Sequence, residues 1–210
     1  MTEKEHKINY FVGPYGSGKT SLITQLRKKS KHLWHICLED EPMIAFLKNP
    51  DVKDRQSFYL NVSFYKLKKA IDDFCRSYSV YKELRGILFD GHPLLGLIYA
   101  RTFFELEQGA TISYPEWGIL NRQHTRLYKY VLKEGLLDNF KQTIYYINLP
   151  FDENWFNILE RNRLDTDEID EWYLENLRRI LHQEIYGLAD YYHCELIELK
   201  SMKELNELTL

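Results

Sequence analysis

The sequence predicts an α/β fold, a parallel sheet of about five strands flanked by helices. Two observations lead there. Short apolar runs at residues 8–12, 35–38, 86–89, 143–149 and Glu195–Leu199 are separated by segments of helical periodicity, and that alternation builds a parallel sheet covered on both faces. A glycine-rich segment also lies at the turn from the first run into the first helical stretch, where open parallel sheets carry ligand sites. With 210 residues and no internal repeat or low-complexity linker, one domain over 1–210 accounts for the whole chain.

The first strand is Ile8-Asn9-Tyr10-Phe11-Val12, and Leu22, Ile23 and Leu26 mark the helix after it. Between them, Gly13-Pro14-Tyr15-Gly16-Ser17-Gly18-Lys19-Thr20 fits the phosphate-binding pattern G-x-x-x-x-G-K-S/T in full. The glycines let consecutive N–H groups curl around an anion, and the helix N-terminus adds positive potential. Lys19 reaches the β- and γ-phosphates, and the Thr20 hydroxyl is a ligand for Mg²⁺. A chance glycine-rich turn is the competing explanation; the lysine, the hydroxyl residue and the flanking elements weigh against it. The sheet is therefore expected to be of the P-loop NTPase type.

The second run, 35–38, ends in Glu39-Asp40-Glu41-Pro42, where Pro42 suits the first position of a helix. A solvated acidic turn is the alternative to a functional carboxylate. Leu60, Phe64, Leu67, Ile71, Phe74 and Tyr78 then mark one face of a long helix over 55–81, with Gln56 one turn earlier on that face. The third run ends in Asp90, as a Walker-B strand does before its metal-binding carboxylate; helix capping is the competing role. A helix over 116–133 aligns Trp117, Leu120, His124, Leu127 and Val131, which makes His124 a core or interface histidine rather than a catalyst. After a short helix at 153–159 comes Glu160-Arg161-Asn162-Arg163, a segment able to fold over phosphates as an arginine-bearing lid at about 160–168. A solvated turn with local ion pairs is the alternative. Ile169, Trp172, Tyr173, Leu177, Ile180, Leu181, Ile185 and Leu188 form the apolar face of a late helix, and the tail 200–210 is expected to be peripheral.

Composition narrows the function classes. The chain has 31 acidic and 28 basic residues, a net charge of −3, and no basic stripe, so no nucleic-acid polymer is expected as partner and a small anionic ligand fits better. Cys37, Cys75 and Cys194 are scattered, without C-x-x-C spacing, which argues for reduced thiols rather than a disulfide frame or zinc site. No apolar run approaches a membrane span, and the charged N-terminus is unlike a signal peptide. A cytoplasmic or nuclear setting follows as the expectation.

Taken together these segments resemble the deoxynucleoside kinases, most closely the herpesvirus-type thymidine kinases. The loop at 13–20 is similar to that branch's G-P-x-G-x-G-K-T, and Glu41-Pro42-Met43 to its E-P-M, with Phe46 in place of the usual tryptophan. Phe89-Asp90-Gly91-His92-Pro93 resembles F-D-R-H-P, Arg161-Asn162-Arg163 the R-x-R of the lid, and Pro115-Glu116-Trp117-Gly118-Ile119 the E-W-x-I stretch of the cellular and insect enzymes. The resemblance implies transfer of the ATP γ-phosphoryl to the 5′-hydroxyl of a pyrimidine deoxynucleoside, thymidine or deoxycytidine, with Mg²⁺. Glu41 would be the general base, Thr20 and Asp90 would hold Mg²⁺, and Lys19, Arg161 and Arg163 would gather the phosphates. Gln56 would pair its amide with the base edge, one donor and one acceptor against a pyrimidine. Phe46 and Tyr99 would wall the ring, and Asp165 or Asp167 would meet the 3′-hydroxyl. A helix-mediated homodimer involving 116–133 is also implied, and a viral source, in which case the compartment is that of the host cell.

One departure bears on catalysis. The family's D-R-H or E-R-S arginine is Gly91 here, and the first arginine of the longer viral lid pattern is Asn157. Loss of one preorganised donor costs on the order of 10²–10³ in rate. Arg101, on the following helix, is a candidate substitute. Two alternatives therefore stand beside the kinase: a catalytically impaired nucleotide-binding relative, and a nucleoside monophosphate kinase, for which no arginine cluster suited to an acceptor phosphate is evident.

Overall fold

In the computed structural model the described residues are 6–31, 33–38, 55–93, 95–107, 114–160 and 170–210. Five strands, β1 (His6–Val12), β2 (Trp34–Cys37), β3 (Gly86–Asp90), β4 (Phe140–Ile147) and β5 (Glu195–Leu199), pair in the order β2-β3-β1-β4-β5. Every pairing is parallel. Among the described residues the helices are α1 (Lys19–Lys29), α2 (Arg55–Val80), α3 (Leu95–Glu107), α4 (Tyr114–Lys133), α5 (Phe151–Glu160), α6 (Glu171–Tyr191) and α7 (Met202–Glu207).

Strand alternation divides the core into two layers. Ile8, Tyr10 and Val12 of β1, Ile87 and Phe89 of β3, and Ile144 and Tyr146 of β4 face one side. There they meet Phe64, Leu67, Ile71 and Phe74 of α2, Tyr128 and Val131 of α4, and Leu177, Ile180, Leu181 and Ile185 of α6. Phe11, Leu88, Tyr145 and Ile147 face the other side, against Leu22, Ile23 and Leu26 of α1 and Leu205 of α7. Phe11 and Tyr145, opposite each other in the β1–β4 register, stack at 5.2 Å with rings 13° apart. Each fully buried side chain of this kind contributes roughly 1.5–3 kcal/mol, so the paired central strands are the most strongly held part of the sheet.

Element bounds shift by a few residues from the sequence expectation, and two burial expectations fail. β4 starts at Phe140 rather than 143, because His6 and Lys7, the polar start of β1, still pair with Phe140 and Lys141. Trp172 is 58% exposed, although the apolar pattern enlisted it. It sits one residue before the row that begins at Tyr173, and on a helix a single step turns a side chain by about 100°. The tail is not peripheral: the Ser201 hydroxyl accepts from the Glu204 N–H at 3.3 Å and caps α7, which buries Leu205 against the α1 layer.

Candidate active site

The sheet brings the phosphate loop and Asp90 to one edge. β1 runs into the loop at Gly13, and β3, its parallel neighbour, ends level with it, with Phe11 opposite Asp90. Gly13 is packed so tightly that a Cβ would lie 2.7 Å from the Ile147 carbonyl oxygen of β4. Gly18 has φ +81° and precedes α1 with no side-chain cap, so the helix presents its N-terminus to the loop without a competing side chain. That is the arrangement that favours an anion. The Lys19 ammonium donates to the Gly13 and Pro14 carbonyls, each at 2.9 Å, so it lies folded across the loop. A phosphate arriving there offers a charged acceptor in exchange for two neutral ones, which makes the stronger bond.

The Thr20 hydroxyl donates to Asp90 Oδ2 at 2.6 Å across 70 residues of sequence. Asp90 is buried at the end of β3. A hydroxyl oxygen and a carboxylate placed together are hard donors, and Mg²⁺ typically takes one or two carboxylates while phosphate and water fill the remaining positions. This pair fits the ion. Among the described residues no group of three or more His, Cys, Asp or Glu gathers.

Helix α5 closes the loop from the far side. Gly16 has φ +73°, and a Cβ there would lie 2.2 Å from the Asn154 carbonyl oxygen and 2.9 Å from Ile158 Cγ1. The Asn157 amide donates to the Gly16 carbonyl at 2.8 Å. Tyr15 lies 5.8 Å from Tyr99 of α3 and 6.4 Å from Tyr173 of α6, ring centre to ring centre, and burial pushes the Tyr173 hydroxyl up to about 12. The loop is thus gripped by three helices as well as by the sheet.

No protein-family model matches the sequence, and no curated protein matches it. Solved structures do match in shape. Deoxyadenosine kinase from M. mycoides with bound dATP superposes with a TM-score of 0.58 at 17% identity, over 95% of each chain. The same enzyme with bound dCTP gives 0.52 at 19%, and with products dCMP and a flexible dCDP 0.51 at 17%, again over 95% of each chain. The chain has the deoxynucleoside kinase fold.

Within the deoxynucleoside kinase fold, the sequence-predicted residues divide into two groups. Gly13, Pro14, Tyr15, Gly16, Ser17, Gly18, Lys19, Thr20 and Asp90 come together as one site. Tyr99 reaches it through Tyr15. Gln56 falls in the first turn of α2, its side chain outside the described set. Glu41, Phe46, Arg161, Arg163, Asp165 and Asp167 lie outside the described residues.

Arg101, the candidate substitute for the missing arginine, is held by acidic side chains of α3 and α6. Its guanidinium pairs with Glu105 at 2.7 Å and with Glu184 of α6, while Arg179 holds the other Glu105 oxygen at 2.8 Å. Burial raises the Glu105 carboxyl, but the hydrogen bonds from Arg101 and Arg179 outweigh it and hold the group below its usual value. Gly91 has φ +89°, and its N–H donates to the Phe11 carbonyl at 2.9 Å. The turn after Asp90 is therefore built in a conformation that suits glycine and strains an arginine.

His124 is a core histidine. It is buried, bonded to the Tyr192 hydroxyl at the end of α6, and depressed by burial to about 4. His92 packs edge-on to Tyr10 at 4.3 Å and Tyr192 at 5.1 Å; burial, followed by the His124 charge, holds it well below the ordinary histidine value. No pattern in the residues marks Asn157 as a neighbour of the loop. Its position four residues before Arg161, on the same helix as the Gly16 contacts, becomes meaningful only once α5 is seen against the loop.

Proposed function

We propose that the protein is an ATP-dependent deoxynucleoside kinase, acting as one domain over 1–210 with an arginine-bearing lid at about 160–168. The observation that carries this reading is the Thr20–Asp90 contact at the mouth of a complete phosphate loop, in a chain that shares the fold of a deoxynucleoside-phosphorylating enzyme. Lys19 and the uncapped start of α1 bind the β- and γ-phosphates of ATP. Thr20 and Asp90 hold Mg²⁺, which when bound neutralises charge on the phosphates. Glu41 takes the proton from the 5′-hydroxyl as that oxygen attacks the γ-phosphorus and the bond to the β-phosphate oxygen breaks. Arg161 and Arg163 draw the phosphates together. Alignment and concentrated positive charge supply most of the rate.

The acceptor is a pyrimidine deoxynucleoside, thymidine or deoxycytidine, with Gln56 on the base edge, Phe46 and Tyr99 as ring walls and Asp165 at the 3′-hydroxyl. This finer reading rests on the resemblance to the herpesvirus-type thymidine kinases, which also motivates a viral source, a cytoplasmic or nuclear setting and a homodimer through α4. Among the described residues no helix is long and apolar enough to cross a membrane. Ile119, Tyr130 and Leu132 of α4 are each about half exposed, which supports a partner on that helix. A second acceptor, deoxyadenosine, is favoured by the name of the enzyme whose fold is shared. An impaired, nucleotide-binding relative is favoured by Gly91, whose φ of +89° suits glycine at the position where the resembled family carries an arginine.

One experiment separates them: phosphoryl transfer from ATP·Mg²⁺ to thymidine, deoxycytidine, deoxyadenosine, deoxyguanosine and thymidylate, with Lys19→Ala as control. Product from thymidine or deoxycytidine that vanishes in the control is the expected result. Product from deoxyadenosine alone rejects the pyrimidine pocket, product from thymidylate alone makes the protein a monophosphate kinase, and ATP binding with no product leaves the binder. In the same assay Glu41→Gln is expected to keep nucleoside affinity and lower kcat; full activity in that variant removes Glu41 from the base role.

A further inference from the structure

We infer that Asn157 is a positioning residue for the phosphate loop, holding the Gly16–Ser17 peptide in the orientation that admits polyphosphate. The inference rests on the kinase reading for the identity of the ligand, ATP. Its structural basis is the contact between α5 and the loop.

Gly16 is one of two glycines in the loop with a positive φ. It lacks a Cβ and sits at φ +73°, so the peptide that follows it can rotate at little steric cost. The alternatives are not equivalent. A phosphate loop works by turning N–H groups toward the anion and carbonyls away from it, and a rotated Gly16–Ser17 peptide would bring a carbonyl dipole toward the bound charge. Within the loop itself the restraint on this peptide is weak: the Ser17 N–H reaches the Pro14 carbonyl only at 3.4 Å. The stronger bond comes from outside. Asn157 Nδ2 meets the Gly16 carbonyl oxygen at 2.8 Å, and because that oxygen can only accept, the amide must donate.

The same helix supplies the fit on either side. The Asn154 carbonyl and Ile158 Cγ1 occupy the space that a side chain on residue 16 would need, so glycine is required there by contact as well as by φ. Gly16 is therefore seated on one face of α5 by residues 154, 157 and 158, and Asn157 is the member that fixes direction. An arginine at 157 would be a long cation; asparagine is short and makes a bond to the protein's own backbone. The departure from the lid pattern thus exchanges a residue suited to a distant anion for one that braces the loop.

Asn157 is only partly buried on a helix, and alanine is the better helix former. Asn157→Ala is therefore expected to leave the apo Tm within about 2 °C of wild type while weakening ATP·Mg²⁺ binding about tenfold, the effect of one well-placed hydrogen bond. Asn157→Asp has the same shape but sets an acceptor against an acceptor, and is expected to lose at least as much affinity. In turnover, KM for ATP should rise in both variants with KM for the nucleoside unchanged. Asn157→Gln, which keeps the donor, is expected to recover part of the loss. Binding is read by isothermal titration with ATP·Mg²⁺ and with inorganic triphosphate, so the result does not depend on nucleoside phosphorylation. Failure to phosphorylate any nucleoside rejects the kinase reading alone. Affinity for both probes within twofold of wild type in the Ala and Asp variants, or no affinity for either probe in wild type, overturns the positioning role. A loss of affinity matched by an equal loss in Gln, with a fall in Tm in all three, overturns it in favour of a general packing role.

Discussion

Asp90 closes β3 with a buried carboxylate that accepts from the Thr20 hydroxyl at 2.6 Å. Its place at the end of an apolar strand beside the phosphate loop is what proposes it for Mg²⁺ over the competing role of a helix cap. Replacing it by asparagine removes the charge while keeping the shape, and is expected to lower kcat on the order of 10²-fold with little change in nucleoside affinity, measured by steady-state kinetics. Gly91 was legible only as a missing arginine. What could not be read was the backbone: φ +89° is a conformational demand, and no side-chain pattern announces it. The Cβ of a substituted residue would meet only Leu95 Cδ1 at 3.4 Å, so space is not the obstacle. Restoring the family residue with Gly91→Arg is expected to cost about 1–2 kcal/mol of stability from the left-handed backbone, a fall in Tm of roughly 2–8 °C by thermal unfolding. An unchanged Tm would show that the turn relaxes.

At the level of elements, periodicity located the helices that have one apolar face and misjudged those whose burial depends on what lies above them. The stripe from Leu60 to Phe74 on α2 is buried as expected because its neighbours are the sheet, α3 and α4. Nothing in residues 200–210 shows that α1 leaves an apolar surface for Leu205 to cover. Leu205→Ala is expected to destabilise by about 2–3 kcal/mol, where a loose tail would cost nothing, measured by urea unfolding. His124 links α4 to the end of α6 through Tyr192, with Phe64 and His92 close by. Its folded value of about 4 lies below the ordinary 6.5. Stability tied to the neutral ring is therefore complete above pH 6.5 and is lost as pH falls toward 4. His124→Gln keeps a bond to the Tyr192 hydroxyl without that titration, and is expected to flatten the decline of Tm between pH 6.5 and 4. A decline as steep as that of wild type would assign the effect to other groups.

At the scale of the whole molecule, the strand count, the parallel pairing and the loop were all in the sequence, since each is written in local runs and one contiguous motif. The order β2-β3-β1-β4-β5 was not, because it depends on which strand edges meet, and neither were the contacts of α5 to Gly16. If α4 carries the homodimer proposed above, Tyr130→Lys with Ile119→Glu is expected to yield monomers by light scattering while each subunit keeps its ATP affinity. The central place of β1 also shapes how the chain is made. β1 is complete at residue 12, finds one neighbour only when 86–90 exists, and waits for 140–147 to cover its other edge. Until then Ile8, Tyr10, Phe11 and Val12 border an open row of backbone donors and acceptors, the feature that templates association between chains. During synthesis at about 5–20 residues per second, roughly 50 residues separate the end of β3 from β4, so the nascent polypeptide spends seconds with its nucleotide loop attached to a half-paired strand. Chaperone demand and losses to aggregation should therefore concentrate in that interval.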